Sequence, residues 1–149
     1  MATREFNEWD IERAGLRSLS SPEIKRFWDG YVAYRKPVAI AHGSLWSRWR
    51  LVSEDLVISI YLTNRSVGVF VRGQRGERYK TTVERLSAFE PDLGVALGAN
   101  LRGYEGCCYL SNHPLPATDP ASWQQGYDLL AELEERYFRV LAELGGVNY

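Results

Sequence analysis

The stretch Leu56-Val57-Ile58-Ser59-Ile60-Tyr61-Leu62-Thr63-Asn64-Arg65-Ser66-Val67-Gly68-Val69-Phe70-Val71-Arg72 decides the fold. Leu56, Ile58, Ile60 and Leu62 fall on one side of an extended chain, with Val57, Ser59 and Tyr61 opposite. After the short break at Asn64-Arg65 the alternation resumes, Val67, Val69 and Val71 against Gly68, Phe70 and Arg72. Strand side chains two residues apart share a face, so this period predicts two strands, and so short a break suits a hairpin. Working backwards, Leu45 to Val52 predicts a preceding strand. Leu45, Ser47, Trp49 and Leu51 lie on one of its sides, Trp46, Arg48 and Arg50 on the other. Ser53-Glu54-Asp55 is again short enough for a turn, so the three strands are expected to form an antiparallel meander.

Outside the meander the spacing becomes helical. Ser21-Pro22-Glu23 carries a hydroxyl cap, a proline and an acid at a helix start. Ile24, Phe27, Trp28 and Tyr31 follow at helical spacing until Pro37. Past the Gly73–Gly76 break, Val83, Leu86 and Phe89 predict a second helix, with Pro91 ending it or restarting a turn. Leu93 and Leu97 continue to Gly98, a residue suited to a helix C-terminus. Residues 106–111 read as a short buried strand and residues 112–120 as a proline-rich loop. Asp119-Pro120 opens a last helix, striped with Trp123, Tyr127, Leu130, Tyr137, Leu141 and Leu144 and ended by Gly145-Gly146. The expectation is an α+β fold of order α-β-β-β-α-β-α, a mainly antiparallel three- to four-stranded sheet with packed helices. Residues 21–149 form one domain, and residues 1–20 an N-terminal arm or short helix carrying Phe6, Trp9, Ile11, Leu16 and Leu19.

Composition agrees with a folded domain. A chain of 149 residues, 45 % hydrophobic and 25 % charged, has the size and balance of one globular unit. No apolar run approaches the roughly 20 residues that span a bilayer, and Met1-Ala2-Thr3-Arg4-Glu5 lacks the apolar core of a signal peptide. Cys107 and Cys108 are adjacent and point to opposite faces of a strand, which suits free thiols in a reducing compartment. The reading is a cytoplasmic protein without a membrane partner. The net charge of −1 conceals an uneven distribution. Between Arg48 and Arg85 stand eight basic and four acidic residues, and from Asp119 onward six acidic and two basic ones. A dipolar molecule of this kind can turn a basic face to an anionic partner.

The chemistry-bearing residues form no complete catalytic constellation. His42 and His113 are the only histidines, and with adjacent cysteines they lack the paired spacing of a zinc site, so no metal or cofactor is expected. Ser44 sits in no nucleophile elbow, and a short apolar strand suits buried, inert thiols at Cys107 and Cys108. A small hydrolytic enzyme built on His42, Glu54 and Asp55 stands as a further alternative. Arg72-Gly73-Gln74-Arg75-Gly76-Glu77 matches no phosphate-loop motif, although its amides and arginines could hold an anion. The element order also resembles the core of the PD-(D/E)XK nucleases, which place an acid on the second strand and acid-x-Lys on the third. Glu54-Asp55 could supply the first acid, but Ser66 to Arg72 contains neither acid nor lysine. Glu23-Ile24-Lys25 opens a helix and is explained as a first-turn acid. An active nuclease of that kind is not expected.

One surface remains. With the aliphatic side of the meander turned inward, the opposite side gathers Trp46, Arg48, Arg50, Tyr61, Phe70 and Arg72. Aromatics interleaved with arginines stack bases and neutralise phosphates, and the same residue types dominate protein interfaces. A helix covering that side is the alternative, which would convert the aromatics into a second core layer. The expectation is a non-catalytic interaction domain that self-associates or binds a protein through this face. A nucleic-acid-associated accessory role comes second.

From Ile24-Lys25-Arg26-Phe27-Trp28 onward the chain resembles the prokaryotic domain-of-unknown-function family 4268. The similar features are the Phe-Trp pair, the strand Leu56-Val57-Ile58-Ser59-Ile60-Tyr61-Leu62, the run Leu93-Gly94-Val95-Ala96-Leu97-Gly98, and the late helix of Trp123, Leu133 and Phe138. The likeness covers about residues 22 to 144 and consists of hydrophobic patterns, with Trp46 and Trp49 standing on strand one instead of strand two. It implies a nucleic-acid or defence context and transfers no catalytic residue.

Overall fold

The computed structural model of the chain describes residues 17–104 and 106–148, with side chains through residue 144. Helix α1, Ser21–Arg35, begins on a capping box: the Ser20 hydroxyl accepts from the Glu23 amide and the Glu23 carboxylate from the Ser20 amide. The hydroxyl cap is therefore Ser20, one residue earlier than the expected Ser21. The helix buries Ile24, Phe27, Trp28 and Tyr31, the stripe its spacing predicts.

Five antiparallel strands form one sheet in the spatial order β1-β2-β3-β4-β5. They are β1 (Ala41–Ser44), β2 (Ser47–Leu51), β3 (Val57–Leu62), β4 (Ser66–Arg72) and β5 (Cys108–Pro114). Helices α2 (Tyr79–Ser87) and α3 (Asp92–Leu97) lie between β4 and β5, and a 3₁₀ turn, Pro120–Ser122, leads into the long helix α4, Trp123–Asn148. The fold is α+β, in the order α-β-β-β-β-α-α-β-α.

The expected sheet of three to four strands is corrected to five. The additional strand, Ala41-His42-Gly43-Ser44, is too short and polar to show alternation, and the expected strand from Leu45 to Val52 is instead a hairpin turning at Leu45-Trp46. The middle helix is two helices broken at Pro91, and the second closes on Gly98, whose φ of 68° is left-handed. The fifth strand runs later than residues 106–111, through Asn112 and His113 to Pro114. Gly145-Gly146 does not end α4, which continues to Asn148; glycine costs a helix only about 1 kcal/mol relative to alanine. Of the expected N-terminal arm, residues 1–16 lie outside the described residues. Leu19 belongs to the core, and Arg17 pairs with Glu23 at 2.8 Å.

Helices α1 and α4 cover one face of the sheet. Leu130, Tyr137 and Leu141 of α4 join Ile58, Ile60, Val67, Val69 and Val71 in a single core cluster with the α1 stripe. Within this layer one carboxylate is completely buried, that of Glu134. It accepts from the Tyr31 hydroxyl at 2.6 Å, from Arg35 at 3.1 and 3.2 Å and from Arg50 at 2.5 Å. Glu135 beside it accepts from Arg50 at 3.1 Å and also from Arg35. The Arg50 guanidinium lies 3.9 Å above the Phe138 ring. One cluster thus ties α1, β2 and α4 together.

Two outcomes follow for stability. Glu134→Ala leaves two largely buried guanidiniums and a phenol without their shared acceptor, and should lower the unfolding free energy by about 3–5 kcal/mol in denaturant titration. An unchanged midpoint would remove the cluster from the list of stabilising contacts. Acid should also unfold the protein through its paired carboxylates. Arg17 draws the Glu23 carboxyl down to about 2. Burial alone would raise Glu77 and Glu135, but bonds from Thr82 and Arg85, and from Arg50 and Arg35, leave both below the ordinary range. Since the unfolded chain then binds more protons, their contribution is complete above about pH 4.3 and is lost as pH falls through the folded values. Denaturant midpoints between pH 7 and pH 3 should fall accordingly, and less steeply in Glu77→Gln.

Candidate interaction surface

Strand register decides which side chains share a face. Arg48 pairs with Ile60 and Arg50 with Ile58, while Ser47 faces Tyr61 and Trp49 faces Ser59. Ser59 in turn pairs with Phe70, and Tyr61 with Gly68. Directly paired residues point to the same side, so Arg48 and Arg50 belong to the helix-covered face. Tyr61, Phe70 and Arg72 belong to the outer face, and their companion from β2 is Trp49.

The expected set of Trp46, Arg48, Arg50, Tyr61, Phe70 and Arg72 is therefore corrected: it does not share a face. Trp46 packs against the core. Arg48 donates to the Ser44 and Ser47 carbonyls at 2.7 Å and lies 5.3 Å from the Trp28 ring centre, while Arg50 is held by Glu134 and Glu135. For this half of the set, the covering helix is the correct reading. Tyr61, Phe70 and Arg72 remain on the outer side, each only part-buried.

On that side, glycines let aromatic rings lie against the backbone. A Cβ on Gly68 would stand 2.7 Å from Cζ of Tyr61 and closer still to its hydroxyl, so the phenol ring extends across Gly68. Its hydroxyl donates to the Asn112 side chain of β5, which holds the ring down. Phe70 is the next ring, 6.2 Å away and inclined at 44°. Gly43 does the same for Trp49, since a Cβ there would lie 2.7 Å from both Cδ1 and Nε1 of the indole. Glycine inside a strand marks such close approaches, and Gly43 is the sequence signal for Trp49, which alternation assigned to the other side.

Trp49 also gathers cations. The Arg72 guanidinium is 4.5 Å and that of Arg75 4.7 Å from the indole centre. Arg75 comes from the loop Gly73–Gly76, which is fastened across the sheet edge by Gln74 donating to the Ser53 carbonyl at 3.2 Å. That loop was legible as a possible anion holder, whereas its junction with Trp49 was not. Burial, and then the nearby charge of Arg75, makes Arg72 hold its proton less firmly than an exposed arginine. Among the described residues no carboxylate lies within ion-pair distance of either guanidinium, because Glu77 and Asp55 pair with Arg85 at 2.6 and 3.4 Å. Arg78 and Lys80 are exposed further along. A cavity of about 150 Å³ opens beside the rings, lined by Phe70, Arg72, Gly73, Glu77, Tyr79 and Thr82.

Other sequence candidates stay apart. His42 is exposed at the level of Arg48, three rows before the turn that holds Glu54 and Asp55, a separation of at least about 10 Å. His113 is hydrogen-bonded to Ser111 at 2.7 Å, and burial lowers its pKa. Burial raises the thiol of Cys107 and carries that of Cys108 up to about 11, so neither is a thiolate near neutral pH.

Gly68→Ala tests the ring geometry, because its methyl would meet the Ser111 carbonyl as well as Tyr61. The expected cost is about 1–3 kcal/mol in denaturant unfolding. A neutral effect would mean that Tyr61 is not seated across Gly68. With this geometry described, the comparisons add no relative: no protein-family model, no curated protein and no solved structure matches the chain.

Proposed function

We propose that the chain is a binding domain whose outer sheet face takes a nucleic-acid strand. The observation that carries this reading is the convergence of Arg72 and Arg75 on Trp49, with no carboxylate of the described residues within ion-pair distance, beside the rings of Tyr61 and Phe70. Two cations held within one indole's reach repel each other, and a phosphate between them relieves that repulsion. Phosphate contacts supply most of the affinity of such surfaces, and aromatic rings add base stacking.

The same charge weighs against self-association through this face. A two-fold axis passing through the Trp49 patch would set Arg72 and Arg75 beside their own copies. The reading that stood first on the sequence drew on Arg48 and Arg50, which the helices occupy.

The test is retention of a mixed-sequence DNA hairpin carrying a single-stranded tail, followed by fluorescence anisotropy at increasing salt. Binding should weaken steeply with salt, and Arg72→Ala combined with Arg75→Ala should lower low-salt affinity at least about tenfold and flatten the salt slope by about 1–2. Absence of retention at low salt overturns the reading. So does retention that the double substitution leaves unchanged, or light scattering that shows a dimer dependent on these arginines.

A further inference from the structure

We infer that this surface selects unpaired nucleotides, with base faces stacked on Tyr61 and Phe70 and the backbone passing Arg72 and Arg75. The inference rests on the nucleic-acid reading above and narrows it to single strands.

Three features point this way. The part-buried Tyr61 ring lies across Gly68, with its hydroxyl tied to Asn112, so one ring face rests on the strand and the other is turned away from it. A duplex buries its base faces inside its own stack and shows a protein only groove edges and backbone, whereas an unpaired base has a free face to lay on the ring. Second, the surface is one face of an antiparallel sheet. On the outer face, Tyr61, Phe70 and Gly68 sit on paired central strands, and reading a duplex requires a helix or ribbon that enters a groove. Third, Phe70 and Arg72 line both the platform and the neighbouring cavity of about 150 Å³. On its walls the Arg72 guanidinium can donate to a base edge, and the Glu77 carboxylate, which already accepts from Thr82 and Arg85, keeps a second oxygen that can accept from one.

The order of rings and charges also fits a strand. Tyr61 and Phe70 follow one another at 6.2 Å, and the arginines flank Trp49 on the neighbouring part of the same face. Stacking on one side with phosphate contacts alongside is the arrangement that binds single strands with little regard for sequence.

The experiment compares a labelled oligothymidylate of about 12 nucleotides with a mixed-sequence duplex of the same length at low salt. The single strand should bind at least about tenfold more tightly. Tyr61→Leu and Phe70→Leu should each weaken it by about 5- to 100-fold and leave duplex binding unchanged, since a stacked base contributes about 1–3 kcal/mol. Tyr61→Phe, which keeps the ring, should bind within about twofold of the parent; it serves as the control if the leucine variants unfold, together with Phe70→Tyr. Equal affinity for duplex, or single-strand binding indifferent to loss of both rings, overturns the selectivity while leaving nucleic-acid binding intact. Failure to bind either probe overturns both.

Discussion

The carboxylate of Glu134 is the constraint on which the sheet's chemistry depends. A buried ion costs several kcal/mol unless its charge and lone pairs are met, and here Arg35 from α1, Arg50 from β2 and the Tyr31 hydroxyl meet them. The partners come from separate elements, so the cluster works only when all three are in place. It therefore does more than hold α1 against α4. By drawing Arg50 inward it fixes the parity of β2, because neighbouring residues of a strand cannot share a face. Arg48 must then also face the helices, and Trp49 must face away from them.

The outer face follows from that parity. Trp49 there is 7 % exposed, an indole sealed by Gly43 beneath and by two guanidiniums above. Cation–π contact makes the arrangement tolerable at about 0.5–2 kcal/mol per pair, but it leaves the positive charge on both arginines. On the helix side Arg35 and Arg50 are paired with carboxylates, whereas no carboxylate of the described residues lies within ion-pair distance of Arg72 or Arg75. Tyr61 completes the contrast, because its ring is anchored by Gly68 and Asn112 instead of by the helix layer's core.

Much of this architecture is written in local patterns. The capping signals of α1, the aliphatic alternation of β3 and β4, and the stripe of α4 each specify an element within a few neighbouring residues. The strand β1 is not so written, since Ala-His-Gly-Ser has no apolar side and exists because β2 offers it an edge. The site was half legible for a related reason. Alternation assigns two sides to each strand but does not say which side of one matches which side of the next. That match is set by register and by Arg50 reaching a carboxylate 84 residues away, a relation no local window contains. Tyr61, Phe70 and Arg72 were grouped correctly because their strands are joined by one short hairpin, while Trp46, Arg48 and Arg50 were joined to them with the wrong parity.

The charge asymmetry along the chain is carried by one short basic run and not by the helix layer. Helix α4 packs on the side of the sheet opposite Trp49, and there it exposes both acids (Asp128, Glu132, Glu143) and bases (Arg136, Arg139). Arg72, Arg75, Arg78 and Lys80 belong to the end of β4, the loop after it and the start of α2. The net charge of −1 therefore conceals a local run of cations at one end of the sheet. At physiological salt their field acts within about 8 Å, too short to draw a ligand from afar but long enough to turn one that has arrived. A polyanion meeting that end of the sheet finds guanidiniums that no carboxylate of the described residues pairs with. Weak overall charge and strong local polarity together make orientation, more than attraction, the contribution of electrostatics here.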